Sequence, residues 1–133
     1  WVENSYKTGN VQPSFGPFNM APQDSVLYKF ADYSNGCDIA SSCGMGLTPQ
    51  GYYPCAVAGG IDRVLGLHRG RQSLPSPSDE MRDLMDIACR LCGRFYDGHY
   101  VPEKLRPSLE VQKNSRSWDK HYQDWAKRRI DIQ

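Results

Sequence analysis

The chain has 133 residues, of which 39% are hydrophobic, and its formal net charge at pH 7 is +1. This near-neutrality provides no overall field for nucleic acid or an anionic membrane, and no apolar run reaches the roughly 18 residues that a membrane span needs. Neither nucleic acid nor a membrane is therefore expected as a partner. The 12 glycines and 9 prolines suit a loop-rich domain whose modest core is supplemented by a metal.

Residues 1–24 are polar, include prolines and show no periodicity, so we expect an extended lead-in segment. The start at Trp1 has neither the basic nor the apolar region of a signal peptide, and we expect it to mark a fragment or a processed chain. Residues 25–30 follow with alternating apolar side chains, which predicts a strand or a short helix.

A β-hairpin is predicted over residues 47–53. Gly51 can supply the positive φ that a tight turn needs. Tyr52 and Tyr53 favour the returning strand, because aromatic residues are enriched in strands.

Residues 56–66 are apolar but interrupted by glycines, so we expect a single helical turn there. Gly59 and Gly60 are interpreted as a place where the backbone approaches a metal cluster closely or turns tightly. Asp62 and Arg63 are expected to form a local ion pair or to face solvent.

The clearest helix pattern covers residues 78–92. Ser76 is predicted as its N-cap, Pro77 as its first residue and Gly93 as its C-terminal cap. Apolar residues recur at helical spacing along one face, namely Met81, Leu84, Met85, Ala88 and Leu91.

A further helix is predicted over residues 117–130, where Trp118, Tyr122 and Trp125 form an aromatic stripe. The stripe is interpreted as a docking face, either onto this domain or onto another one.

Together these elements predict a small, metal-stabilised α+β domain with a β-hairpin, a cysteine-bearing helix, a C-terminal amphipathic helix and long irregular segments. We divide the chain into the lead-in segment 1–24, a cysteine-rich domain over 25–100, and a linker with the C-terminal helix over 101–133.

Five cysteines carry the most specific chemical signal in the chain. Cys89 and Cys92 form a C-x-x-C at the end of the predicted helix, where residues three apart share a face with their Cβ atoms about 5–6 Å apart. Cys37 and Cys43 lie in a Gly/Ser-rich loop, and Cys55 follows the predicted hairpin. Because thiolates ligate zinc and iron–sulfur clusters, all five are candidate ligands of one metal site.

The odd number of cysteines argues against a disulfide framework, which would leave one thiol unpaired. A reducing, cytoplasmic location is therefore expected. Zinc stays open as the alternative to an iron–sulfur cluster. The chain would then be a structural interaction module that presents its aromatic helix to a partner.

The run from Cys43 through Gly51 to Cys55, followed by the C-x-x-C motif, resembles the SPASM/Twitch auxiliary-cluster domain of radical SAM enzymes. The resemblance covers residues 37–92, and the single C-x-x-C is similar to the shorter, single-cluster Twitch form. It implies a [4Fe–4S] cluster in the C-terminal part of an oxidoreductase that uses S-adenosyl-L-methionine. The auxiliary cluster would support electron transfer or substrate positioning.

The resemblance provides four ligand positions for five cysteines, so Cys37 and Cys43 compete for one of them. The family's catalytic C-x-x-x-C-x-x-C motif does not occur in this sequence. S-adenosylmethionine would therefore bind only to a radical SAM barrel outside this chain, which should not be active alone. That barrel is the expected partner, and the substrate is not identified.

Overall fold

A computed structural model describes residues 19–37, 40, 44–98 and 114–130. The described helices and strands are α1 (Ala56–Leu65), α2 (Arg82–Cys89), α3 (Arg116–Ile130), β1 (Gly46–Thr48) and β2 (Gly51–Tyr53). Short 3₁₀ turns lie at Pro22–Asp24, Val26–Tyr28, Tyr33–Asn35 and Gly93–Gly98. The predicted α+β class is confirmed.

The predicted β-hairpin is present. Strands β1 and β2 pair antiparallel, with Gly46 opposite Tyr53. Gly51 has a φ of 118°, the positive value expected of it. Tyr52 also exchanges backbone hydrogen bonds with Arg71, at N···O distances of 2.8 and 3.0 Å. These bonds tie the loop after α1 to the hairpin.

Helix α1 is longer than the single turn predicted from its glycines. Its 10 residues, Ala56–Leu65, lie between the N-cap Cys55 and the C-cap Gly66, which has a left-handed φ of 71°. Gly59 allows the helix to approach the hairpin, since a Cβ at this position would lie 2.7 Å from Thr48 Cγ2. This packing offsets the low helix propensity of glycine. Gly59 and Gly60 both lie within α1, so the predicted close approach to a metal cluster or tight turn is wrong, and Gly59 contacts the hairpin instead.

Helix α2 begins later than predicted, at Arg82 and not at residue 78. The predicted N-cap Ser76 instead begins a separate turn, in which the Asp79 N–H donates to the Ser76 carbonyl at 2.9 Å. Met81 precedes the helix with a φ of 50°, a left-handed conformation that interrupts helical backbone. The Asp79 carboxylate accepts a hydrogen bond from the Met81 N–H at 3.0 Å and stabilises this start.

The end of α2 also differs from the prediction. The helix ends at Cys89, and the chain continues through Cys92 into the 3₁₀ turn Gly93–Gly98. The residue that caps α2 is Arg90, and Gly93 lies in the following turn without a positive φ, so the C-terminal cap predicted at Gly93 is wrong.

Helix α3 confirms the other predicted helix, and it packs on α1. Trp118 is 3% exposed, and its indole N–H donates to the Leu91 carbonyl at 2.6 Å. Tyr122 is exposed, so the aromatic stripe docks onto this domain mainly through Trp118. The buried core that these elements share consists of Ala21, Tyr53, Ala58, Ile61, Met81, Leu84, Ala88, Leu91, Cys92 and Trp118.

The chain before the hairpin also contributes to this core through Ala21. Residues 1–18 of the predicted lead-in segment lie outside the described residues. The rest of that segment is not wholly extended, because it contains the turn Pro22–Asp24. The turn Val26–Tyr28 agrees with the short-helix alternative for residues 25–30. In the described part of the chain, no helix combines the length and apolarity that crossing a membrane requires.

Candidate metal centre

The thiols of Cys37, Cys55, Cys89 and Cys92 line one cavity. Each is a free cysteine. Cys43, the remaining predicted ligand, lies outside the described residues. The fold thus brings together cysteines from the loop before the hairpin, the N-terminus of α1 and the end of α2.

Cys55 is held at the N-terminus of α1. Its sulfur accepts a hydrogen bond from the backbone N–H of Ala58 at 3.4 Å, as an N-cap side chain does. This N–H and the positive end of the helix dipole both favour negative charge on the sulfur. The position of Cys55 after a strand agrees with the prediction, whereas the length of the helix that holds it could not be predicted, because glycines interrupt the helical pattern.

Cys89 is the last residue of α2 and Cys92 lies in the turn that follows, where the Cys92 N–H donates to the Cys89 carbonyl at 3.3 Å. Burial raises the pKa of the Cys89 thiol far above its ordinary value, and negative charge on Cys92 and Cys37 raises it further. Burial also raises the pKa of Cys92 to about 12. Both thiols are therefore neutral at pH 7, and a metal that binds them must displace their protons.

Arg94 brings a positive charge to this apolar cavity. The residue is 8% exposed, and it lines the cavity together with the cysteines. Burial raises the pKa of Cys92, whereas the backbone N–H that Arg94 donates to this sulfur and the guanidinium charge both lower it. Arg94 was not among the predicted site residues. Its position just after the C-x-x-C is the signal that could have identified it.

The rest of the cavity wall is apolar and includes Ala40, Pro54, Val57, Ile61, Met85 and Phe95. The cavity has a volume of about 20 Å³, which is room for about one water molecule. A wide surface groove of about 1060 Å³ shares Cys37, Met85 and Phe95 with this wall. The cavity therefore borders the surface on the side of Cys37.

The cysteines border the cavity without forming a ready-made ligand set for one ion. Within the described ranges, no three His, Cys, Asp or Glu side chains are grouped so that they could hold a metal ion. The described part of the wall contains no His, Asp or Glu, so its candidate metal ligands are the four cysteine thiols. These ligands fit a metal bound by thiolates.

Asp62 lies elsewhere than predicted. It is 6% exposed, and it accepts a hydrogen bond from the Tyr53 hydroxyl at 2.6 Å. The expected ion pair or solvent exposure is therefore wrong for Asp62, because α1 turns this residue toward the hairpin. Arg63 is exposed. Asp62 does not line the cysteine cavity, so its contact with Tyr53 is structural.

Comparisons with protein-family models, with curated proteins and with solved structures found no match to this chain.

Proposed function

We propose that Cys37, Cys55, Cys89 and Cys92 bind a [4Fe–4S] cluster, and that this chain is the auxiliary-cluster domain of a radical SAM enzyme. The observation that carries the proposal is that four cysteines from three parts of the chain line one cavity. Four cysteine thiolates are the usual ligand set of such a cluster. Cys43 would then be the spare thiol.

The surroundings of the cysteines also suit a cluster. Backbone N–H groups of Ala58 and Arg94 donate to the sulfurs of Cys55 and Cys92. Hydrogen bonds to sulfur and exclusion of solvent are among the features that set the potential of a cluster. Each iron takes a separate cysteine thiolate, so the ligand sulfurs need not converge on one point.

The cluster would serve electron transfer or substrate positioning and not radical initiation, since the sequence lacks the C-x-x-x-C-x-x-C motif. S-adenosyl-L-methionine would bind to the radical SAM barrel, which we propose as the partner. The groove beside Cys37 offers a route by which a substrate or the barrel would approach the cluster. The free thiols fit a reducing compartment, for which we propose the cytoplasm.

A zinc-binding interaction module is the second candidate, and one observation favours it. The cavity volume of about 20 Å³ is close to the space of a single small ion. A cluster with several irons would require a larger outward movement of the wall than a single zinc ion would. In that case the thiolates would be structural ligands, and the exposed Tyr122 on α3 would face the partner.

Metal analysis separates these candidates. Protein prepared without oxygen should contain about four irons and four sulfides per chain and should absorb broadly near about 400 nm. Replacing Cys55 or Cys92 by alanine should remove most of the iron, because each supplies one of the thiolates that hold the cluster. One zinc per chain without iron would contradict the cluster and favour the interaction module.

Cys43→Ala is the matched control for Cys37→Ala, since the two cysteines lie in the same loop of the sequence. The proposal predicts that Cys43→Ala keeps the iron content of the wild type and that Cys37→Ala loses most of it. The reverse result would contradict the assignment of Cys37 as a ligand while leaving the cluster in place.

A further inference from the structure

We propose that Arg94 raises the reduction potential of the cluster by holding a buried positive charge beside its thiolate ligands. This inference rests on the proposed function, because it concerns the same cavity. A guanidinium group has no lone pair to offer a metal, so Arg94 acts through the electrostatic environment of the cysteines.

The position of Arg94 is set by the chain that leaves α2. The residue lies in the 3₁₀ turn Gly93–Gly98, directly after the C-x-x-C, and it is 8% exposed. Of the described residues that line the cavity, Arg94 is the one with a positive charge, and the thiolates would be anionic neighbours.

Arg90, on the same stretch of chain, provides a contrast. It bonds to Asp86 at 2.7 Å, and the two side chains are 45% and 43% exposed. Water and dissolved ions screen an exposed pair of this kind. The apolar wall around Arg94 excludes that screening, so the charge of Arg94 acts on the cavity more strongly than the charge of Arg90.

The sign of the effect follows from the charge of the cluster. Its thiolates outweigh the positive charge of the iron–sulfur core, so the bound cluster is anionic. When a low-potential one-electron donor is oxidised and passes its electron to the cluster, the cluster gains one more negative charge. A nearby cation stabilises the reduced state more than the oxidised state, and this effect is larger where the dielectric constant is low.

The test compares Arg94→Gln, Arg94→Lys and Arg90→Gln in cluster-loaded protein. Each protein is titrated with dithionite in the presence of redox mediators, and the reduced cluster is counted by electron paramagnetic resonance. Arg94→Gln should lower the ratio of reduced to oxidised cluster at a fixed potential about tenfold, which corresponds to about 59 mV for a one-electron couple. Arg94→Lys keeps the charge and should stay near the wild type, as should the solvent-screened Arg90→Gln.

The outcomes separate this inference from the proposed function. An unchanged ratio in Arg94→Gln with an intact cluster would overturn the role of Arg94 and leave the cluster standing. Wild-type protein without iron and sulfide would overturn both.

If Arg94→Gln assembles no cluster, the Arg94→Lys variant decides whether Arg94 acts through its charge or through its packing. A near-wild-type potential in the lysine variant supports the role of the charge. Two results for the lysine variant indicate a packing role and overturn the inference. Either the variant also fails to assemble the cluster, or its ratio of reduced to oxidised cluster at a fixed potential falls about tenfold.

Discussion

The hydroxyl group of Tyr53 joins the hairpin to α1 and to the loop that follows it. Tyr53 is 1% exposed, and its hydroxyl donates to the Asp62 carboxylate at 2.6 Å while it accepts from the Gly70 N–H at 3.2 Å. One phenol therefore serves a buried acceptor and a buried donor. Leaving such groups without a partner costs more than an average hydrogen bond contributes.

We expect Tyr53→Phe to lower the free energy of unfolding by about 1–3 kcal/mol, because the ring is kept while Asp62 and the Gly70 N–H lose the hydroxyl. Urea unfolding followed by circular dichroism measures this change. Tyr52→Phe is the matched control, since its half-buried side chain lies on the other face of the strand, and it should change stability by less than about 0.5 kcal/mol. Equal effects of the two variants would contradict the role of the Tyr53 hydroxyl.

The same variant has a second readout in alkaline solution. Burial, followed by the hydrogen bond to Asp62, raises the pKa of Tyr53 to about 12. In the unfolded chain the phenol ionises near pH 10 or so. The stabilisation that Tyr53 provides is therefore complete below that pH and is lost as the pH rises through about 12. The stability difference between wild type and Tyr53→Phe should shrink over this range, and a constant difference would count against the assignment.

At the residue scale, the sequence could indicate the cysteines but not their charged neighbours. The chemistry of Cys55 and of the C-x-x-C is visible in the residue type and spacing. The burial of Asp62 and Arg94 depends on which elements pack around them, and charged residues are usually exposed. Cys37 and Cys43 could not be separated, because a loop without periodicity does not indicate which side chain faces the cavity.

Gly59 and Gly60 are adjacent in α1, and substituting each by alanine tests a different effect: tertiary packing at Gly59 and helix propensity at Gly60. A Cβ on Gly59 would lie 2.7 Å from Thr48 Cγ2 and 3.1 Å from Tyr53 Cδ2. A Cβ on Gly60 would meet no heavy atom of the described surroundings within 4 Å. The hairpin therefore leaves no space for a side chain at Gly59, whereas a side chain at Gly60 has free space.

We expect Gly59→Ala to destabilise the protein by about 1–3 kcal/mol, because the added methyl group overpacks the contact with the hairpin. Gly60→Ala should stabilise it by about 0.5–1 kcal/mol, because alanine is the better helix former and the space is free. Thermal unfolding of both variants measures the two effects. A stabilising Gly59→Ala would contradict the close packing of α1 on the hairpin.

Elements with local signals could be predicted, and elements determined by tertiary contacts could not. The hairpin follows from its turn and strand residues, and α3 follows from its aromatic spacing. The length of α1 depends on the fit of Gly59 against the hairpin, which no local propensity contains. The start of α2 was predicted too early because the left-handed backbone of Met81 interrupts the helical pattern. Arg71 bonds to Asp79 at 2.8 Å and to Asp83 at 2.7 Å on the two sides of this interruption. These ion pairs accompany the irregular backbone before the helix.

At the scale of the whole molecule, the cysteine cavity and the core are continuous. Cys92 belongs both to the core and to the cavity wall. The indole of Trp118 in α3 donates a hydrogen bond to the carbonyl of Leu91, which directly precedes Cys92. A metal held by the cysteines would therefore connect the loop at Cys37, α1 and α2 at the point where α3 docks. Metal binding of this kind contributes directly to the free energy of folding.

We therefore expect removal of the cluster to lower the midpoint of thermal unfolding by roughly 10 °C, the shift that corresponds to a metal contribution of about 2–4 kcal/mol in a chain of this size. Oxidation in the presence of a chelator removes the metal, and near-ultraviolet circular dichroism of the buried Trp118 follows the loss of packing. Cys55→Ala is the control, because a variant that cannot hold the cluster should have the same midpoint before and after the treatment. If the wild type kept its midpoint after losing all iron, the core of α1, α2 and α3 would be stable by itself. The cysteines would then have a redox role in this domain and not a structural one.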